Sequence, residues 1–470
     1  MATKTAARRT RVAPSKNGNG RPSKESAGIS TKTVEAFQKR FRQDPGARVA
    51  QNAVTRNPIG SVAANRQSVV GSSHVFSNIV KVGKITSQQK SGRCWLFAGL
   101  NPMRVAAIKA MNLADDFELS QNYPLFWDKL EKANYFLENI IKTSKEPVGS
   151  RILDFLLSNP VEDGGQWDMF VNLVTKFGVV PKTVMPETES SSNTGAMNSV
   201  VTRKLRENAA KLRKMCTKGL GVEALRKEKT KMLEEVYRIL AIHLGEPPKD
   251  FLWQYRDKDG AFHRDGRITP QEFFARHVNT DLDSKICLIH CPQSSKSFNT
   301  LYTVDFLGNV VDGNIVRYLN VDLNTIKKAA IEMISDGEPV WFGCDVGKHL
   351  ERELGVLDLG IFDYDGVYGV KFGMDKATRL DYGESQMTHA MVFAGVDLDD
   401  RGKPVRWRVE NSWGDKGGGQ GFLTMTDAWF DEYVYEVAVD KKRLPASMLP
   451  LLKGKPVVLP PWDPMGSLAR

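Results

Sequence analysis

No run of about 18 consecutive apolar residues occurs in the 470-residue chain, so no segment is expected to span a membrane. The first residues also lack the short apolar core of a secretory signal. Cysteine is scarce: five in 470 residues make no disulfide framework, and an odd number leaves at least one thiol free. A reducing, cytoplasmic setting is therefore expected. Acidic residues are missing from residues 1–24, which hold seven Lys or Arg, so of the net charge of +11 only +4 belongs to the rest of the chain. Residues 1–30, basic and without large apolar side chains, are expected to form a disordered tail. The remainder, in a chain of 41% hydrophobic and 26% charged residues, reads as an ordinary globular protein with a large core.

A second concentration of positive charge lies between Arg203 and Lys231, where eleven Lys or Arg face three Glu. Such a stretch is either a solvated helix face or a surface for a polyanion, and with the basic tail it raises non-specific nucleic-acid binding as a candidate partner interaction. Leu205, Ala209, Leu212 and Met215 recur at helical spacing and give this segment one apolar stripe. Helical patterns also cover Cys94–Asn112, Tyr123–Ile141, Gln166–Phe177 and Met232–Leu244. Pro102, inside the first of these, predicts a kink or a lost hydrogen bond. From residue 286 the character changes: Ile286–Cys291, Leu301–Phe306, Val340–Cys344, Met391–Val396, Val405–Asn411 and Gly421–Met425 read as short strands. The chain thus divides into a helical lobe at 31–190, an inserted helical domain at 191–285, and a strand-rich lobe at 286–455. Four prolines after residue 455 predict an extended, mobile arm at 456–470.

Cys94 is the most suggestive nucleophile, because it sits between a glycine turn and the start of a helix. Backbone N–H groups and the helix dipole favour a thiolate there. The dipole is worth about 0.3–2 kcal/mol, whereas lowering a thiol by about five units takes roughly 7 kcal/mol. A histidine must therefore contribute. His389 opens an apolar strand in Met387-Thr388-His389-Ala390-Met391, and Asn411 ends another in Glu410-Asn411-Ser412-Trp413-Gly414. An Asn oxygen can hold one imidazole nitrogen so that the other meets the thiol, without adding charge. Gln88, six residues before Cys94, can donate to a developing oxyanion together with the Cys94 N–H. Gln89 is chemically identical, and spacing alone favours Gln88. Cys287, His290 and Cys291 lie on an apolar run with no fourth ligand apparent, so no metal and no organic cofactor is expected.

Gln88, Ser91-Gly92-Arg93-Cys94-Trp95, His389 and Asn411-Ser412-Trp413-Gly414 resemble the papain superfamily, although 295 residues separate Cys94 from His389 against roughly 130–150 in papain. Phe126-Trp127-Asp128-Lys129-Leu130-Glu131, Asp163-Gly164-Gly165-Gln166-Trp167, Glu384-Ser385 and Trp462-Asp463-Pro464-Met465-Gly466 narrow the resemblance to the bleomycin hydrolase/aminopeptidase C family, from about residue 35 to the last. It implies an α+β, two-lobed papain-like cysteine peptidase fold with an inserted helical domain and a C-terminal arm. By it Cys94 is the nucleophile, His389 the general base and acid, Asn411 the orienting residue and Gln88 the oxyanion donor. The arm would lie in the active-site cleft and offer its terminal carboxylate to the substrate's free amine, with Arg470 as the terminus, or Ala469 if Arg470 is trimmed by self-processing. The resemblance further implies peptide substrates, hydrolysis of the bleomycin amide and of homocysteine thiolactone, and a homohexameric ring. Two other readings stand beside the aminopeptidase: a papain-like endopeptidase, and a nucleic-acid-binding protein with a peptidase fold.

Overall fold

The structure, a computed structural model, describes residues 27–469; most of the basic tail and Arg470 lie outside the described residues. Residues 27–62 and 364–370 form one compact unit, in which Thr31–Gln43 and Pro45–Val54 are helices, each opened by a side-chain cap from Ser30 and Asp44. Residues 63–363 and 371–469 belong to a second unit that carries every described residue discussed below.

The second unit is organised around a helix and a sheet. Cys94–Met111 is helical, and its apolar residues occur on all sides, so it is an interior helix and not an amphipathic one. Trp95, Leu96, Phe97, Leu100 and Met103 are all buried. The helix runs through Pro102 as one element, with Asn112 in the left-handed region as its cap. Trp167–Phe177 packs beside it, and Asn122–Lys142 packs on Trp167–Phe177, both at the expected places.

The sheet has twelve strands, and its centre runs in the order Lys285–Ile289, Val434–Asp440, Val340–Cys344, His389–Leu398, Pro404–Glu410 and Phe422–Thr426. All six predicted strands are present within a few residues. Val434–Asp440, with the alternating, β-branched sequence Val-Tyr-Glu-Val-Ala-Val-Asp, is an additional central strand that the sequence reading left out. Both faces of the sheet are covered. One packs against the Cys94 helix and its neighbours through Trp341, Val392, Tyr435 and Ala438. The other packs against the helix Leu323–Ser335 and the cluster Trp407, Trp429 and Phe430.

Segment 191–285 holds the expected helices, Gly195–Thr217 and Val222–Leu244, but also an antiparallel strand pair, Phe251–Arg256 with Phe262–Ile268. Much of its positive charge is matched within the fold. Arg226 and Lys229 pair with Glu138, Lys211 and Lys231 with Glu228, and Lys204 with Glu207 and Glu235. Arg206 and Arg213 donate to backbone carbonyls of Leu157 and Thr143.

Residues 456–469 are ordered, contrary to the mobile arm that composition predicts. Val457–Leu459 adds a parallel strand beside Thr300–Val304, and Pro464–Ala469 forms 3-10 turns. Backbone pairing and burial hold the segment where its own proline-rich sequence would not.

Candidate functional site

Cys94 is the first residue of its helix and is 4% exposed. Its position is set by the turn before it. The Gly92 N–H donates to Asp163 Oδ2 at 2.9 Å, and a Cβ on Gly92 would stand 2.7 Å from the Cβ of Asp163, so this close approach requires glycine. Arg93 Nη1 donates to Glu187 Oε1 at 3.0 Å, within an ion pair whose Nη2–Oε2 distance is 2.8 Å, while Arg93 Nε donates to Ser91 Oγ at 2.9 Å. Trp95 Nε1 donates to the Asp163 carbonyl at 2.6 Å. Burial opposes ionisation of Asp163, but Lys129 at 2.6 Å, the Thr194 hydroxyl and Asn198 at 2.7 Å outweigh it and hold the carboxyl well below the usual range. Asp163, Lys129 and Glu187 were not singled out in sequence as site residues. The Asp163-Gly164-Gly165 motif was the one signal that could have pointed to the first.

The thiol lies against the sheet: the Ala390 N–H donates to Cys94 Sγ at 3.4 Å, one residue from His389. His389 opens its strand and is buried. Asn411 Oδ1 accepts the Ser412 N–H at 2.8 Å, which fixes which end of the amide faces His389. His389 Nε2 is 2.9 Å from that oxygen, so Nε2 carries the proton and Nδ1 is left as the basic nitrogen. Trp413 covers the imidazole at 4.9 Å between ring centres, and the Arg352 guanidinium lies 4.6 Å above Trp413.

Gln88 and Gln89 separate clearly. Gln88 is buried, and Ser412 holds it twice, by the carbonyl accepting the Gln88 N–H at 2.8 Å and by the hydroxyl donating to Oε1 at 2.6 Å. Its Nε2 donates to the Ser91 carbonyl at 2.6 Å, which leaves the second amide N–H available. Gln89 is exposed, adopts a left-handed φ of 52° and donates to Ser87 Oγ.

Burial dominates the electrostatics of the pair. It pushes the Cys94 thiol up to about 11, against the N–H groups of Ala390 and Trp95, and it pulls the His389 imidazole down to about 4, against the Asn411 hydrogen bond. Desolvation thus outweighs the backbone N–H groups at the helix start, which alone do not make a thiolate.

The arm reaches this site. Lys296 Nζ pairs with Asp463 Oδ2 at 2.9 Å, both buried. The Met465 carbonyl accepts from Tyr318 Oη at 3.0 Å and from Gln166 Nε2 at 3.3 Å, and Ser467 Oγ donates to the carbonyl of Met387, two residues before His389, at 2.9 Å. Ala469 is the last described residue, and Arg470, named above for the substrate amine, lies outside the described residues.

Cys287, His290 and Cys291 do not converge. The Cys291 thiol donates to Gln293 Oε1, and His290 Nδ1 bonds the Val321 carbonyl. Among the described residues no three His, Cys, Asp or Glu side chains make a metal set, and no helix is long and apolar enough to cross a membrane.

A cysteine at a helix start, set against a strand that opens with an amide-oriented histidine, defines a cysteine peptidase of papain-like fold. The chain belongs to the Peptidase C1-like family, whose sequence pattern matches residues 28–466. It is 46% identical over 441 residues to Aminopeptidase C of Listeria monocytogenes, covering 94% of this chain and 99% of that protein. It is 45% identical over 453 residues to Bleomycin hydrolase of Mus musculus, with the same coverage. The crystal structure of pepw from Lactobacillus rhamnosis superposes with a TM-score of 0.92 at 48% identity, covering 94% of this chain and 99% of that one.

Proposed function

We propose that this chain is a cysteine aminopeptidase that removes residues one at a time from free peptide N-termini. Cys94 attacks the first peptide carbonyl after losing its proton to His389 Nδ1. The Cys94 N–H and the second amide N–H of Gln88 stabilise the oxyanion, a role in which one donor is worth about 3–4 kcal/mol. His389 then protonates the leaving amine, and water hydrolyses the thioester. Asn411 keeps the imidazole in the required tautomer throughout.

The observation that carries the exopeptidase reading is the seated arm: Met465, Ser467 and Leu468 are buried, and Ser467 bonds the chain next to His389. An arm so placed leaves room for one substrate residue before the attacked carbonyl, and its end, Ala469 and Arg470, would meet the substrate's ammonium. The same chemistry extends the reading to the bleomycin amide and to homocysteine thiolactone, each an acyl group beside a free amine. We further propose that the protein is cytoplasmic and forms a homohexameric ring; sedimentation of the full chain tests the ring directly.

Release of amino acids is measured from free and N-acetylated forms of one peptide, with and without a thiol alkylator. Release from the free peptide only, abolished by alkylation, is expected. Efficient cleavage of the acetylated peptide by the full chain would replace this reading with an endopeptidase.

A further inference from the structure

Leu350–Glu351 and Val356–Leu357 form a short antiparallel hairpin, whose second strand runs parallel to Phe422–Thr426. Arg352 stands at the start of its turn. Three hydrogen bonds hold this turn: the Leu354 N–H donates to Glu351 Oε2 at 2.6 Å, the Gly418 N–H to the Glu353 carbonyl at 3.0 Å, and the Thr424 N–H to the Gly355 carbonyl at 2.8 Å. Gly417 has a φ of 84°, and a Cβ there would stand 2.9 Å from the Arg352 carbonyl oxygen. Glycine at this position therefore lets the turn come close and seats it.

From the turn the Arg352 guanidinium reaches over Trp413, 4.6 Å from the ring centre, and Trp413 lies against His389. Trp413 is held in turn by a bridge to Ser87 and by the Gly414 N–H, which donates to the Thr86 carbonyl at 3.0 Å. Arg352 is exposed, and among the described residues no carboxylate stands within ion-pair distance of it. A guanidinium over an indole face sheds part of its water there and still offers a fork of N–H groups to a carboxylate. Its charge reaches the catalytic imidazole: burial is the main cause of the low His389 value, the Asn411 hydrogen bond opposes it, and Arg352 adds to the burial.

The strand His389–Leu398 lies between Val340–Cys344 and Pro404–Glu410. The arm sits on the first flank, with Leu468 Cδ2 3.5 Å from the place a Cβ on Gly343 would take. Trp413 follows the other strand and marks the second flank. An arm that blocks the ground before the attacked carbonyl sends the leaving residue the other way, toward the imidazole that protonates its amine. Trp413 and Arg352 stand on that path.

We propose that Arg352, carried over Trp413, is a specificity-determining residue that favours peptides whose leaving residue bears a carboxylate, either on an Asp or Glu side chain or, in a dipeptide, at the free C-terminus. The proposal rests on the reading of the chain as a cysteine aminopeptidase. A carboxylate there gains a charge-assisted hydrogen bond beside an aromatic face, whereas a Lys or Arg side chain meets like charge. Glu353 and Asp415 are the exposed acids next to Arg352 and near Trp413 in sequence, so the preference is read as a change on substitution of Arg352.

The test compares the full chain with Arg352→Gln and Arg352→Glu. Initial release of the first alanine is followed from Ala-Glu-Ala, Ala-Gln-Ala and Ala-Lys-Ala amides, and from Ala-Gln as free acid and as amide. The tripeptides read a side-chain carboxylate and the dipeptides a terminal one. Each ratio of kcat/KM is taken within one protein, so loss of folded enzyme cancels. In at least one of the two series the preference for the carboxylate should fall about fivefold or more in Arg352→Gln, and Arg352→Glu should turn the tripeptide preference toward Lys. Ratios that are the same in all three proteins overturn the proposal. If neither variant folds, the wild-type preference should shrink between about 0.02 and about 0.5 M salt, and a preference that salt does not change overturns it. Alkylation-sensitive release from Ala-Gln-Ala amide by the full chain separates the two failures. If that release is present and the ratios are unchanged, the role of Arg352 alone fails; if no peptide releases alanine, the aminopeptidase reading fails with it.

Discussion

Arg104 and Glu410 form an ion pair of 2.6 Å in the interior, and they tie the helix that begins at Cys94 to the strand that ends just before Asn411. Arg104 also donates to the Lys84 carbonyl at 2.7 Å, on the segment leading to Gln88. One guanidinium thus holds three parts of the site in register. Arg104→Met leaves Glu410 buried without its partner and is expected to cost about 3–5 kcal/mol in denaturant unfolding. Arg104→Met/Glu410→Leu should recover most of that loss, because the desolvation of both charges is removed with them. Strict additivity of the two single losses would show that the pair is not coupled.

The Lys296–Asp463 pair anchors the arm. Lys296→Met should loosen it and raise cleavage of N-acetylated peptides relative to free ones at least tenfold in kcat/KM, since removing the Lys296 cation takes away the charge that holds the buried Asp463 carboxylate in place. An unchanged ratio in a folded Lys296→Met protein would mean that the anchor lies elsewhere on the arm.

Gln88 is held by Ser412 and Ser91 with one amide N–H to spare, whereas Gln89 faces solvent. Gln88→Ala should lower kcat about 100- to 1,000-fold, with a smaller change in KM, as expected for a donor that acts mainly in the transition state. Gln89→Ala should stay near wild type. Steady-state kinetics on one free peptide decides between them, and equal effects would remove Gln88 from the oxyanion site.

Cys94, His389 and Asn411 could be singled out because each stands at a boundary that local pattern marks: a glycine turn before a helix, the first residue of an apolar strand, the residue just past the end of another. What was not legible depends on contacts far apart in sequence. Arg104 and Glu410 are 306 residues apart, and Gly92 meets Asp163 across 71. The choice of Gln88 over Gln89 needed the backbone, which turns left-handed at Gln89 and sends the two amides in different directions. Glu436 was hidden for another reason: a charged residue in Val434–Asp440 reads as the exposed half of an alternation, yet in a sheet covered on both faces every residue of that strand is buried. Composition likewise could not show that the arm is fixed by Lys296, Tyr318 and Gln166, none of which is near it in sequence.

Glu436 gives the stability a pH dependence of definite sign. Its folded-state carboxyl is raised from 4.5 to about 8, so between those values the folded protein binds the proton and the unfolded chain does not. Its contribution is complete below the unfolded value and is lost as pH rises through about 8. The difference in unfolding free energy between wild type and Glu436→Gln should therefore move against wild type by on the order of 4 kcal/mol from pH 4.5 to pH 9. A difference independent of pH would show that Glu436 is ionised, or solvated, in the folded protein.

The central claim is that Cys94 carries the acyl group of the substrate's first residue. Acid quenching during turnover of a free-amine peptide amide, followed by proteolysis and mass spectrometry, reads this directly. The Cys94 peptide should gain the mass of one aminoacyl residue, with no such gain from the N-acetylated substrate, and Cys94→Ala should lose both the adduct and at least a thousandfold of the rate. Amino-acid release that persists undiminished in Cys94→Ala would contradict the account.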